Sequence, residues 1–307
     1  MKRVIYSIFI QIPNDDLDWQ PPYPGETESK NDKANRVFLQ NHDWLTAMQK
    51  TYAKSIDAEY RQYTRDDKYL EFEKWYKENH TDVTVWNIVN FYKIHLMYEL
   101  SREFDEVLYL DIDVVPITKK NFFAEHDLNE GIAIFQNDPK VNASLRNIRD
   151  QAKWREQVDE SAHSIRSPAA KYWNAIALLL NEGEDPKNFV YNTGIVGCNK
   201  KWLDKLAYFE DHDYWLETMS ELKHEEDSMY PMWIQEIFGW DNETLWSVKN
   251  KINKVPNIWL RPDWHHFMDN HCYVPNGTNF IHVINKEFDW VREWCEQNNI
   301  HPVSSAE

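Results

Sequence analysis

The chain has 307 residues, 42% of them hydrophobic, and a formal net charge of −17 from 51 Asp+Glu against 34 Lys+Arg. That length can bury a sizeable core, while the acidic balance excludes the broad basic surface on which nucleic-acid binding depends. Three cysteines, Cys198, Cys272 and Cys295, are too few and too widely spaced for a disulfide framework or a zinc cluster, which points to a reducing compartment.

No Gly/Ser linker or low-complexity tract divides the chain, so one domain over residues 1–307 is expected. Val4 to Ile12 is short, apolar and β-branched, which predicts a first strand. Met1-Lys2-Arg3 before it mimics the start of a signal peptide, but no small-residue cleavage site follows. The polar stretch Asn14 to Asn35 reads as a loop inside the domain. Trp44 to Ile56 carries Leu45, Met48, Tyr52 and Ile56 at helical spacing. A short strand around Tyr60–Tyr63 and an amphipathic helix from Tyr69 to Glu78 follow. Thr84 to Leu100 has the strongest helical period, and Val107 to Leu110 reads as a central strand covered on both faces.

Further on, Gly131 to Gln136 is a predicted strand. Val141 to Glu182 is helical in pattern, ending in Tyr172 to Leu180. Tyr191 to Cys198 is strand-like, and Trp202–Phe209 and Tyr214–Leu222 are helical. A helix from Met229 to Phe238 follows a cap at Asp227 or Ser228. Phe280 to Ile284 is a late strand and Asp289 to Gln297 a closing helix. Strands alternating with helices predict an α/β fold with a mostly parallel sheet flanked by helices. No run reaches the length of a membrane span, and a cytoplasmic protein is expected. Most of the 15 Trp belong in the core; an exposed aromatic face can stack on a base or a sugar ring.

The chemistry concentrates in Asp105-Glu106-Val107-Leu108-Tyr109-Leu110-Asp111-Ile112-Asp113-Val114-Val115-Pro116. Residues two apart on an extended chain share a face, so Asp111 and Asp113 point together with Ile112 opposed. They follow an apolar strand, and the carboxyl edge of such a strand is where open α/β sheets bind ligands. Two adjacent carboxylates repel unless a cation lies between them, and Mg²⁺ or Mn²⁺ suits their oxygens. A metal would in turn let an acidic protein hold a diphosphate. An isolated Asp-x-Asp is otherwise a solvated turn.

This segment resembles the Asp-x-Asp region of GT-A-fold glycosyltransferases, family 8 and its relatives in particular. The preceding helix with Lys93 is similar to theirs, as are Tyr191-Asn192-Thr193-Gly194-Ile195-Val196, the acidic Glu225-Glu226-Asp227 and His282-Val283-Ile284-Asn285-Lys286. The ordered set spans roughly residues 4 to 290. It departs from the family in lacking a Gly between His282 and Lys286 and in carrying Glu287-Phe288-Asp289-Trp290 after the Lys.

The resemblance implies a GT-A-type Rossmann-like domain, with a nucleotide-binding half at 1–125 and a donor-sugar and acceptor half at 126–307. It implies a hexosyl- or pentosyltransferase that uses Mn²⁺ or Mg²⁺ and a nucleoside-diphosphate sugar, UDP by default, with retention. The acceptor would be a hydroxyl of a glycan, protein or small molecule. Asp113 and His282 become metal ligands, and Asp111 contacts metal or ribose. Lys286 neutralises the diphosphate, while Asn192, Gly194, Ile112 and Lys93 line the nucleotide sugar. Asp227 and Glu226 contact the donor sugar or orient the acceptor, or simply cap a helix. Trp264-His265-His266 can form an acceptor-side wall. Two alternatives are a sugar-nucleotide nucleotidyltransferase, disfavoured because no Gly-rich loop follows strand one, and a non-catalytic binding protein of the same fold.

Overall fold

The computed structural model describes residues 1–13, 27–137, 168–226, 235, 239–269 and 271–302. At its centre lies a six-stranded sheet in the order β2-β1-β3-β6-β5-β7. These strands are β1 (Arg3–Phe9), β2 (Glu59–Thr64), β3 (Glu106–Leu110), β5 (Ile132–Gln136), β6 (Tyr191–Cys198) and β7 (Asn257–Trp259). β1 is parallel to β2 and β3, and β5 to β7, whereas β6 runs antiparallel to both β3 and β5. The expected mostly parallel sheet is therefore present with one reversed strand. A strand covered on both faces carries no periodic sign of its direction, so the reversal at Tyr191–Cys198 is invisible in its residues.

Two layers cover the sheet. Val4, Tyr6 and Ile8 of β1 face the first layer and Ile5 the second, as a two-residue period requires. The first layer holds α2 (Asp67–Asn79), α3 (Val85–Leu100) and the helices Pro168–Asn181, Lys200–Leu206, His212–His224 and Asn242–Asn253. Helix α3 starts where the Thr84 side chain caps Asn87 N–H, and it buries Ile88, Phe91, Tyr92, Leu96 and Leu100. Removing one such ring, Phe91, from water contributes roughly 2 kcal/mol. The second layer holds α1 (Lys30–Ser55), α4 (Phe122–Glu125), the closing helix Phe288–Gln297 and a small sheet in the order β4-β9-β8. That sheet comprises Val114–Pro116 (β4), His266–Phe267 (β8) and Phe280–His282 (β9).

Two readings of the sequence need correction. Helix α1 begins at Lys30, inside the stretch expected to be a loop, and Ser29 caps it by accepting from Asp32 N–H at 3.1 Å. Its first turns are polar, so no apolar period announces them. The helix Asn242–Asn253 is not predicted at all. Residues Asn242 to Asn250 are buried without interruption, yet only Leu245, Trp246, Val248 and Ile252 in this helix are apolar, so its polar composition reads as a loop. The predicted helix Met229–Phe238 lies largely outside the described residues, as do most of the Asn14–Asn35 loop and the first part of the helical stretch from Val141. Among the described residues all three cysteines are free, and no helix is long and apolar enough to cross a membrane.

Candidate metal centre

Strand β3 ends at Leu110, paired with Ile195 of β6, and the chain then turns away from the sheet. Val114 N–H donates to the Asp111 carbonyl at 2.9 Å, closing a turn that leaves Asp111 and Asp113 at the strand's carboxyl end. The buried Gln49 of α1 pins this turn: its amide donates to the carbonyls of Asp111 and Val114, each at 2.9 Å. Its oxygen accepts from Tyr60 OH at 3.0 Å. Beyond the turn, β4 pairs antiparallel with β9, which sets Val114 opposite His282. Backbone pairing thus delivers a histidine from the far end of the sequence to the two aspartates.

Asp111, Asp113 and His282 each offer a ligand atom within 4.8 Å of the other two. His282 Nε2 lies 3.4 Å from Asp113 Oδ1 and 3.7 Å from Asp111 Oδ2. The other oxygen of each carboxylate faces a lysine. Asp113 Oδ2 pairs with Lys286, and Asp111 Oδ1 lies 3.6 Å from Lys93 Nζ while accepting from Tyr109 OH at 2.5 Å. Asp113 and His282 are buried, and Asp111 is partly exposed. Burial by itself would raise the Asp113 carboxyl, but the Lys286 ammonium and the His282 ring outweigh it and hold the group well below the usual carboxylate range. Two carboxylate oxygens and an imidazole nitrogen fit Mn²⁺ or Mg²⁺ in donor type.

Gly194 of β6 makes room for the cluster. A Cβ there would lie 2.6 Å from His282 Cε1, 2.8 Å from Asp111 Oδ2 and 2.9 Å from Asn192 Oδ1. Asn192 Oδ1 accepts from Gly194 N–H at 2.9 Å, and Asp111 N–H donates to the Gly194 carbonyl at 2.8 Å. Gly194 therefore stands beside Asp111, with Asn192 next to it. Lys93, read as a helix-surface residue or a donor contact, is a buried cation at 3% exposure beside Asp111. The side chain of Ile112 packs among Leu45, Met48 and Ile281 and is turned into the core. Glu226 is exposed in a turn beyond the helix His212–His224, and Asp227 lies outside the described residues.

The roles of several residues around the centre escaped sequence reasoning. His265 is buried, with Nε2 2.9 Å from His282 Nδ1. Burial, with a smaller push from His282, drives its pKa well below the ordinary histidine value, so the ring is neutral. The expected Trp264-His265-His266 wall does not form as a surface: Trp264 is buried against Phe122, His126 and Phe280. On the opposite face of β6, Glu243 accepts from Thr193 N–H at 2.6 Å and pairs with Lys171, which also lies 3.7 Å from Asp241. Burial pushes the Asp241 carboxyl up; at Glu243 the same effect is outweighed by the Lys171 ammonium, which holds it low. Asp241 caps the helix Asn242–Asn253, and an Asp followed two residues later by Glu is a helix-start signal that could have located this group.

No protein-family model and no curated protein matches the sequence. Solved structures similar to it include a glycosyltransferase involved in the glycosylation of the major capsid of PBCV-1, at 12% identity and a TM-score of 0.38, covering 97% of this chain and 100% of that one. An active-site mutant of LgtC is similar at 11% identity and a TM-score of 0.43, covering 92% and 87%. Mouse xyloside xylosyltransferase 1 is similar at 9% identity and a TM-score of 0.43, covering 92% and 98%.

Proposed function

We propose that this chain is a metal-dependent glycosyltransferase of GT-A type. It moves a sugar from a nucleoside-diphosphate sugar, UDP by the sequence resemblance, to a hydroxyl acceptor. The observation that carries this reading is the convergence of Asp111, Asp113 and His282 at the carboxyl end of β3, with Gly194 cut back to admit them. Residues 1–125 supply the two aspartates and serve as the nucleotide-binding half. Residues 126–307 supply Asn192, Gly194, His282 and Lys286 and serve as the donor-sugar and acceptor half.

Asp111, Asp113 and His282 would hold Mn²⁺ or Mg²⁺, which when bound supplies Lewis-acid stabilisation of the charge on a departing diphosphate. Lys286 stands beside Asp113 and places a second positive charge at the same edge of the site. Lys93 and Tyr109 hold Asp111 by one oxygen and leave the other turned to His282. Asn192 brings an amide beside the metal ligands, where it can hydrogen-bond sugar hydroxyls. Transfer with retention needs no strong enzymic base; for an inverting course, Glu226 and Asp227 are the first candidates.

The test is turnover of UDP-, GDP- and dTDP-sugars with Mn²⁺, after a thermal-shift screen for the donor that stabilises the fold. The Asp113→Ala protein should lose metal-dependent turnover by about 100-fold or more. Unchanged turnover in that variant would overturn the assignment.

A further inference from the structure

His282 Nε2 faces the two aspartates, and its Nδ1 faces His265 Nε2 at 2.9 Å. Both rings are buried, and His265 is packed between Phe135 and Phe267, with ring centroids at 4.9 and 4.5 Å. The short contact between two ring nitrogens holds one proton. If that proton belongs to His265, a neutral His282 carries its own proton on Nε2 and cannot ligate a metal. If it belongs to His282 Nδ1, Nε2 is left with a free lone pair.

We propose that His265 is a positioning residue for the metal centre: its Nε2 accepts from His282 Nδ1–H and so keeps His282 Nε2 available as a ligand. This rests on the metal reading of Asp111, Asp113 and His282. A metal-binding histidine generally has its second nitrogen fixed by a partner of this kind. A His265 that accepts at Nε2 carries its proton on Nδ1, which is buried with no hydrogen-bond partner among the described residues.

The test is Mn²⁺ titration followed by the resonance of the free ion, with and without UDP, on the wild type and on His282→Ala, His265→Phe and His265→Gln. The expected order is tight binding by the wild type and roughly tenfold weaker binding by His265→Phe, which keeps a ring but no acceptor. His265→Gln restores an acceptor and should recover most of the affinity. Equal affinity in the wild type and His282→Ala would remove the metal reading and the proposal with it. Wild-type affinity in His265→Phe, with His282→Ala weakened, would overturn the role of His265 alone. Should His265→Phe not fold, nitrogen-15 spectra of the histidines in the Mg²⁺-loaded wild type decide: the His265 proton is expected on Nδ1, and finding it on Nε2 overturns the proposal.

Discussion

Gly194 and His282 are in such close apposition that a single methyl group at Gly194 would lie 2.6 Å from the His282 ring. The same methyl would lie 2.8 Å from Asp111 Oδ2, so two of the three proposed ligands depend on the missing side chain. Gly194 is not among the residues with positive φ, so Ala is compatible with its backbone. The Gly194→Ala protein should therefore fold, displace the His282 ring and the Asp111 carboxylate, and bind Mn²⁺ about tenfold more weakly. Calorimetric titration beside a thermal melt checks both parts, and unchanged affinity would show that the close approach has no role at the site.

Lys286 combines a charge with an unusual backbone, its φ being 63°. Lys286→Gly removes the ammonium and relieves the left-handed strain of about 1 kcal/mol, whereas Lys286→Ala removes the ammonium and keeps that strain. Both variants should weaken UDP binding in the presence of Mn²⁺ by about tenfold, the worth of one charge-assisted contact. In urea unfolding the Gly variant should be about 1 kcal/mol more stable than the Ala variant. If neither changes UDP affinity, Lys286 does not reach the diphosphate.

Gln49 stabilises the metal-site turn from a helix that contributes no ligand. Gln49→Leu would leave the Asp111 and Val114 carbonyls without the donor they share, at a cost of about 2 kcal/mol. Urea unfolding should show that loss together with weaker Mn²⁺ binding. Loss of stability with metal affinity intact would show that β4 and β9 position the turn without it.

His212 predicts a pH dependence away from the metal centre. It is buried, its Nε2 lies 2.7 Å from Tyr76 OH, and burial lowers its pKa from 6.5 to about 3. The unfolded chain therefore binds this proton more readily than the folded one. The contribution is fully present above about pH 6.5 and is lost as pH falls toward 3, by an amount on the order of a few kcal/mol. Melting temperatures of the wild type between pH 7.5 and 4 should fall more steeply than those of His212→Gln. Parallel curves would mean that His212 is not held neutral.

Much of the fold was legible because its elements carry apolar runs or apolar periods. The apolar run Val107–Leu110, the stripe of α3 and the two aspartates at the strand end are local features. The sequence pattern also singled out Gly194, whose carbonyl accepts from Asp111 N–H. The roles that escaped notice act through space. His265 has meaning only because β9 lies beside β8 and sets His282 against it, and Gln49 only because α1 packs over the turn. The helix Asn242–Asn253 escaped because most of its buried residues are polar, a burial that only tertiary contacts such as that of Asn250 with Tyr191 explain.

Sequence alone supplied two acids directly after an apolar strand, but Asp111 to Val114 form a turn, so their approach is not the face-sharing of an extended chain. Only the tertiary structure decided which partners complete the centre. Lys286 pairs with Asp113 across 173 residues of chain, and the reversed strand β6 carries Gly194 to within a bond of Asp111. Such meetings depend on strand order and direction, which tertiary packing sets and which leave no mark in the residues themselves.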